Sequence, residues 1–335
     1  MTSSGPPPPP RRRWAELSDA DVLGGLADSC ARVSARWPAD GMPTLARDAY
    51  VLQRTWSHLA RVLLGQRAVA RAGTATPRAT ELAFGFSDKP GGLPALVLAT
   101  RGGRRVVVRG YIDRVDIVEL ADEALGIVID YKHTRDKRLD MSRVYHGLSL
   151  QLLAYLLALA DHGQTLAGRP IRPIGALYVG LVPRYRSVDD PSEPDGPRDA
   201  LPGVERPRGV LRFDELDALE PGGGDAGWCT YYSVYRKKDG GLGNADKSDA
   251  VDGPGFRALL DHTRDKLGEL ADAVLDGDVG VRPCRLGTFS PCSWCTLSSV
   301  CRFEMDMSDV RFLETLKQSD VIQRVQAVKR GEATA

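Results

Sequence analysis

The stretch GLSLQLLAYLLALADHG, residues 147 to 163, sets the strongest limit on the fold. It is too long for a strand, apolar on nearly every side and closed by glycine, so a buried helix is expected. A helix buried on most sides needs a layer to pack against. The runs before it supply one. ATELAFGF, PALVLAT, RRVVVRGYIDRVDIVEL and LGIVIDYK are rich in Val, Ile and Leu and separated by glycine and charged turns, the pattern of four strands. IGALYVGLVP, after the helix, reads as a fifth. Strands, a helix and a returning strand predict an α/β core of βββαβ order.

The flanking segments differ in character. Residues 1–13 carry five consecutive prolines and basic residues with no apolar run after them, so a disordered Pro/Arg leader is expected and not a signal peptide. Residues 14–77 read as helical: Ser18 and Asp21 form a capping box for a helix that Pro38 ends, and Leu45 to Arg71 contain no proline and only Gly65. The core is expected over 78–183. Residues 184–281 are read as a Pro/Gly-rich excursion with a strand (WCTYYSVYRK) and a helix (Pro254 to Leu275) packing on the core. A cysteine segment follows at 282–304. The tail, 305–335, carries a helix from Ser308 to Lys329. No run of about 18 apolar residues occurs, so a cytoplasmic protein is expected.

Within the core, GIVIDYKHT closes an apolar run with Asp130 and Lys132, which face one side of a strand because residues two apart do. GYIDRVD carries Asp113, which a neighbouring strand would bring beside Asp130. Two close carboxylates repel and call for a cation between them. Oxygen ligands suit Mg²⁺ or Mn²⁺, and Lys132 is placed to orient water or steady a phosphate. The chemistry is that of metal-assisted phosphodiester hydrolysis. A salt bridge at a sheet edge, Asp130 to Lys132 or Asp113 to Arg114, is the structural alternative. Gln151 and Tyr155 lie one helical turn apart on a shared face, where a hydrogen bond in the core is the plain reading.

The motif series GYIDRVD, VIDYK and Q-x-x-x-Y resembles the PD-(D/E)XK nuclease superfamily in its RecB-like branch, and the order of TELAFGF, RGYIDRVD, VIDYKHT, VYHGLSLQLLAYLLAL, GALYVGLVP and PCSWCTLSSVCRFE resembles the AddB-type nuclease domains within it. The resemblance runs from roughly Leu45 to Glu304. It implies a restriction-endonuclease-like fold, a mixed sheet flanked by helices. It also implies Asp113 and Asp130 as metal ligands with the Tyr131 carbonyl, Lys132 as catalytic, and Gln151 and Tyr155 lining the site. Glu81 is an expected further metal ligand or a turn cap. His58 sits where relatives outside the AddB type place a metal-binding histidine, but its surroundings do not match theirs, and a surface or core histidine is the reading adopted. The implied substrate is single-stranded DNA ends in double-strand-break repair, and the implied partner an AddA-like helicase–nuclease subunit. No Walker-type ATP motif occurs. A non-catalytic iron–sulfur DNA-binding module and a CRISPR-associated-exonuclease-like protein are the other readings.

Net charge is +1, so phosphate affinity must come from a local patch. Arg101, Arg104, Arg105, Arg109, Arg114, Arg135, Lys137 and Arg138 are the candidates for a phosphate-tracking groove, against a solvated charged surface as the alternative.

Cys284, Cys292, Cys295 and Cys301 are spaced C-x7-C-x2-C-x5-C. Four thiolates this close suit Zn²⁺ or an iron–sulfur cluster. The C-x2-C-x5-C ending before RFE resembles the iron–sulfur segment of the AddB type and implies [4Fe–4S]. In those relatives the fourth cysteine lies upstream of the core, where this chain has only Cys30, in a stretch unlike their motif; Cys284 is the expected replacement. Cys229 reads as a small core residue.

Overall fold

The computed structural model describes residues 14–36, 46–134, 137–182, 206–222, 226–304 and 309–331. The Pro/Arg leader, Pro38, Arg135 and the Pro-rich residues 185–205 fall outside them. Two helices lead in. α1 (Asp19–Ser34) begins at the capping box, where Ser18 Oγ accepts from the Asp21 N–H at 3.1 Å and the Asp21 carboxylate accepts from the Ser18 N–H at 2.9 Å. α2 (Ala46–Ala72) is the expected long helix. Arg67 and Arg71 near its end donate to the Leu17 carbonyl, and Arg71 also to that of Ala15, which binds the segment before α1 to α2.

β1 (Thr76–Phe84), β2 (Leu96–Ala99), β3 (Arg105–Val108), β4 (Gly110–Glu119) and β5 (Ala124–Lys132) follow. The long strand expected from Arg104 to Leu120 is broken at Arg109. β3 pairs with β2 in a separate hairpin, whereas β4 pairs with β1 and β5. At the break Gly85, with φ +77°, lies so close that a Cβ there would be 2.7 Å from Arg109 Cβ.

Next come α3 (Met141–Tyr145), α4 (Gln151–His162), α5 (Gln164–Ala167) and β6 (Ile171–Gly180). The apolar helix starts at Gln151 and not at Gly147, because Gly147 adopts φ +77° and ends α3. The remaining elements are β7 (Arg208–Arg212), α6 (Leu216–Leu219), β8 (Gly227–Trp228), β9 (Tyr235–Arg236), β10 (Leu242–Gly243), β11 (Ala250–Val251), α7 (Gly253–Leu275), β12 (Cys284–Leu286), α8 (Ser298–Cys301), β13 (Arg311–Leu313) and α9 (Gln318–Lys329). WCTYYSVYRK is not one strand. The N–H groups of Thr230 and Tyr231 donate to the Glu220 carboxylate at 2.7 and 3.1 Å, which leaves only β8 and β9 paired. The tail helix begins later than Ser308, since Arg311–Leu313 pairs with β12.

The main sheet has the order β1-β4-β5-β6-β7-β11. β5 and β6 run parallel, as do β7 and β11, and the other neighbours are antiparallel. The segment read as an excursion thus adds two strands to the sheet. On one face Val115, Val128 and Ala176 pack under Leu152, Leu156 and Leu159 of α4 and Phe256 and Leu259 of α7. On the other, Leu125, Ile127 and Leu177 pack with Leu216, Leu219 and Val234, and α2 adds Val62 and Val69. The central strands are therefore apolar on both sides. Gly126 lets α4 seat on β5, because a Cβ there would lie 2.8 Å from Leu159 Cδ2. That seat puts the first turn of α4 beside the end of β5.

α7 is held to α3 by a titratable contact. His262 stacks on Tyr145 at 5.3 Å and 7°, with Nε2 3.0 Å from the Tyr145 carbonyl oxygen. Burial lowers its pKa from 6.5, against the Tyr145 carbonyl, which favours the proton. The folded state therefore favours neutral His262. Its contribution is present above the unfolded imidazole pKa and is lost as pH falls through the lower folded value. The thermal midpoint is expected to decline on acidification below about pH 6.5. In His262→Gln, which keeps a donor for the carbonyl but does not titrate, that part of the decline should vanish. Parallel melting curves from pH 7.5 to 5 test this, and equal slopes would refute it.

Candidate active site

The ladder between β4 and β5 ends at Arg114↔Ile129. One step further the strands diverge, and there stand Asp113 and Asp130. The Asp113 carboxylate fills the gap in the ladder: its Oδ2 accepts the Tyr131 backbone N–H at 2.7 Å. Asp130 is 2% exposed. Lys132 Nζ lies 2.6 Å from its Oδ2, so the Asp130–Lys132 ion pair offered as the structural alternative is formed, off the line of a well-directed hydrogen bond. Burial raises the Asp130 pKa; Lys132 opposes the shift and Asp113 adds to it. A buried carboxylate that one ammonium only partly balances, next to a second carboxylate, fits a divalent cation that keeps part of its water shell. Asp113 and Asp130 would hold it.

α4 completes the rim. Gln151 Nε2 donates to the Tyr155 hydroxyl at 2.8 Å, and the Tyr155 ring meets Phe84 edge-on at 6.0 Å. Burial, then the charges of Asp130 and Asp113, raise the Tyr155 pKa, while the Gln151 bond lowers it. The hydroxyl thus lies within the field of both carboxylates and stays protonated. Gly110 leaves space for this pair, since a Cβ there would sit 3.0 Å from the Phe84 ring and 3.7 Å from that of Tyr155.

The opposite face of the same strands carries a buried polar network. Arg114 grips Asp116 with two bonds of 2.6 and 2.7 Å and donates to Gln66 of α2. The Tyr131 hydroxyl donates to Gln66 Oε1 at 2.9 Å. Tyr131 is therefore fixed by its phenol on one face while its N–H orients Asp113. Gln66 carried no sequence signal, lying in a helix far from either motif.

The other candidates differ in their distance from this pair. Glu81 stands across from Asp113, between the pairs Thr80↔Arg114 and Leu82↔Ile112. It is exposed, with φ +49°, and among the described residues no three His, Cys, Asp or Glu side chains gather as a metal site. The groove of basic residues is largely dispersed. Arg114 is buried against Asp116, not bridged to Asp113. Arg104 pairs with Asp272 and Asp276 of α7, and Arg101 lies 3.8 Å from Asp265. Arg109 lies over Phe86 at 5.1 Å. Lys137, by contrast, contacts a ring of the site, that of Tyr178. His58 is partly exposed, and burial followed by Arg54, Arg61 and His133 lowers its pKa.

The cysteines are free thiols. Cys284 is buried in β12, held there by pairing with β13. Cys292 and Cys301 are partly exposed and Cys295 is exposed on the outer turn. Among the described residues the four are not gathered into one group as they stand. Cys30 lies partly exposed in α1, and Cys229 is the expected buried thiol.

The sequence profile of the PD-(D/E)XK nuclease superfamily matches residues 15–302. Among curated proteins, the chain is 34% identical over 261 residues to a subunit of the ATP-dependent helicase/deoxyribonuclease of Symbiobacterium thermophilum, covering 76% of this chain and 22% of that one. It is 29% identical over 325 residues to the like-named subunit from Bacillus licheniformis, covering 96% and 27%. Its match to the like-named protein of Clostridium tetani is 30% over 253 residues, covering 75% and 22%. The chain thus spans about a quarter of the length of these relatives. Among the described residues no helix is long and apolar enough to cross a membrane.

Proposed function

The chain belongs to the PD-(D/E)XK nuclease superfamily, and on that premise we propose that it is a Mg²⁺- or Mn²⁺-dependent deoxyribonuclease acting on single-stranded ends during break repair. The observation that carries the reading is the buried Asp130 carboxylate, paired with Lys132 and set beside Asp113 where β4 and β5 part. Asp113 and Asp130 would hold the cation, which when bound supplies Lewis acidity at the phosphodiester. Lys132 holds a proton at Nζ and presents positive charge where negative charge grows on the phosphate. Gln151 and Tyr155 offer an amide and a neutral hydroxyl to the strand. The names of the relatives, as subunits of a helicase/deoxyribonuclease, support an AddA-like partner.

The spacing of the four cysteines supports a further proposal, a [4Fe–4S] or zinc centre, which requires Cys292, Cys295 and Cys301 to close on Cys284. One preparation tests both. The chain is purified anaerobically, iron, sulfide and zinc are measured, and the same sample is assayed on single-stranded and duplex DNA with Mg²⁺ and with EDTA. Cleavage that needs the divalent ion is expected. Cutting that persists in EDTA would sink the metal-dependent reading, and binding without cutting would favour a non-catalytic DNA-binding module. Absence of bound iron and zinc would leave the cysteines as thiols.

A further inference from the structure

We propose that Lys137 is a second phosphate-binding cation of this active site, and that the buried Tyr178 ring positions it together with Lys132. The inference rests on the nuclease reading. It begins with the parallel pairing of β5 and β6, which sets Tyr178 beside Asp130. Paired residues of adjacent strands face the same side, so Tyr178 forms part of the floor on which Asp130 and Lys132 stand. The ring is 3% exposed. Lys132 Nζ lies 5.7 Å and Lys137 Nζ 5.5 Å from its centroid, inside the range where an ammonium is attracted to an aromatic face.

Two ammoniums gathered at one ring repel each other, so an anion is needed near both. Asp130, paired with Lys132 at 2.6 Å, meets part of that need. The remainder is explained by the reaction. Asp113 and Asp130 balance a divalent cation, which leaves the two lysines to face the phosphate. A phosphodiester carries one negative charge and gains a second as the attacking water gives up its proton to a base and its oxygen bonds to phosphorus. Two cations match the transition state; one matches only the bound substrate. Lys132 alone would leave the developing charge without a counterpart. Lys137 is partly exposed, as a group that meets an incoming strand must be. Other cations near the core lack this freedom: Arg104 and Arg114 are bound to carboxylates and Arg109 lies against Phe86.

The test measures single-turnover cleavage of a single-stranded oligonucleotide with Mg²⁺, and binding of the same strand with Ca²⁺, for the full chain and four variants. Lys137→Ala is expected to lower kcat about 10- to 100-fold with little change in binding, in the lower part of the range for removing a donor to developing charge. Lys137→Arg, which keeps charge and ring contact, should recover most of the loss. Tyr178→Phe keeps the platform and should cut nearly as well as the wild type. Tyr178→Leu removes the ring and should lower kcat; its melting midpoint shows whether the fold survives. Were Lys137→Ala to cut within about twofold of the wild type, or to lose affinity with kcat unchanged, Lys137 would not act in the transition state. Equal rates for folded Tyr178→Leu and Tyr178→Phe would remove the platform. A wild type that binds but never cuts overturns the nuclease reading itself and this inference with it.

Discussion

Asp130→Asn is expected to abolish cleavage while leaving the metal-free protein at least as stable as the wild type. The two effects have one origin. Asp130 is 2% exposed, and burial raises its pKa more than the pairing with Lys132 lowers it. Near neutral pH the folded chain therefore holds an unfavourable negative charge, which the nearby Lys132 ammonium offsets only in part. Asparagine keeps the shape and removes the charge, so the melting midpoint without metal should not fall. The same change removes a ligand charge from the cation site, and activity should fall at least about 10³-fold. Melting curves in EDTA and in Mg²⁺ separate the effects. Mg²⁺ should raise the wild-type midpoint and leave that of the variant unchanged, because a ligand stabilises only the state that binds it. A variant that cuts normally, or that melts far below the wild type in EDTA, would remove Asp130 from the role assigned to it.

The largest loss of stability is expected on the other face, from Arg114→Met. Burial acts to lower the Arg114 pKa, and the Asp116 carboxylate more than offsets it. Methionine would strand Asp116, which is 6% exposed, as a buried unpaired charge, at a cost of about 3–5 kcal/mol. It would also take a partner from Gln66 and from the Tyr131 phenol, which lies 3.2 Å from Arg114 Nη1. Because the Tyr131 N–H orients Asp113, cleavage should suffer even at temperatures where the variant stays folded. The double variant Arg114→Met/Asp116→Leu buries no charge and should regain most of the stability but not the lost activity. Urea unfolding of the three chains decides this. A loss below about 1 kcal/mol for the single variant would mean that water reaches Asp116.

Much of this was legible in the sequence, for physical reasons that can be named. The helix α1 was announced by Ser18 and Asp21, whose capping bonds span three residues. That Asp130 and Lys132 face one way follows from strand alternation, and that Gln151 reaches Tyr155 follows from the helical repeat. Each is a property of a few consecutive residues. The misreadings have the opposite character. WCTYYSVYRK has the composition of a strand, yet Glu220 takes its N–H groups. Arg114 looked like one of a series of exposed cations, and only burial against Asp116 distinguishes it. The cysteine spacing offers four thiols to one centre, which stays a proposal, whereas the way each faces, Cys284 buried by the pairing of β12 with β13 and Cys295 exposed, belongs to the tertiary structure.

The sequence by itself determined where the chain changes from strand to helix in its central part, and which acidic, basic and amide side chains its motifs offer to a site. Tertiary structure alone decided who their neighbours are. Asp113 meets the Tyr131 N–H because β4 and β5 part at that step. Tyr178 comes beside Asp130 only because β6 returns parallel to β5 across α4. Gln66 reaches Tyr131 from a helix on the far face of the sheet. Periodicity is local and survives in any window of the sequence, whereas strand order and register are fixed by long-range burial that no single window contains.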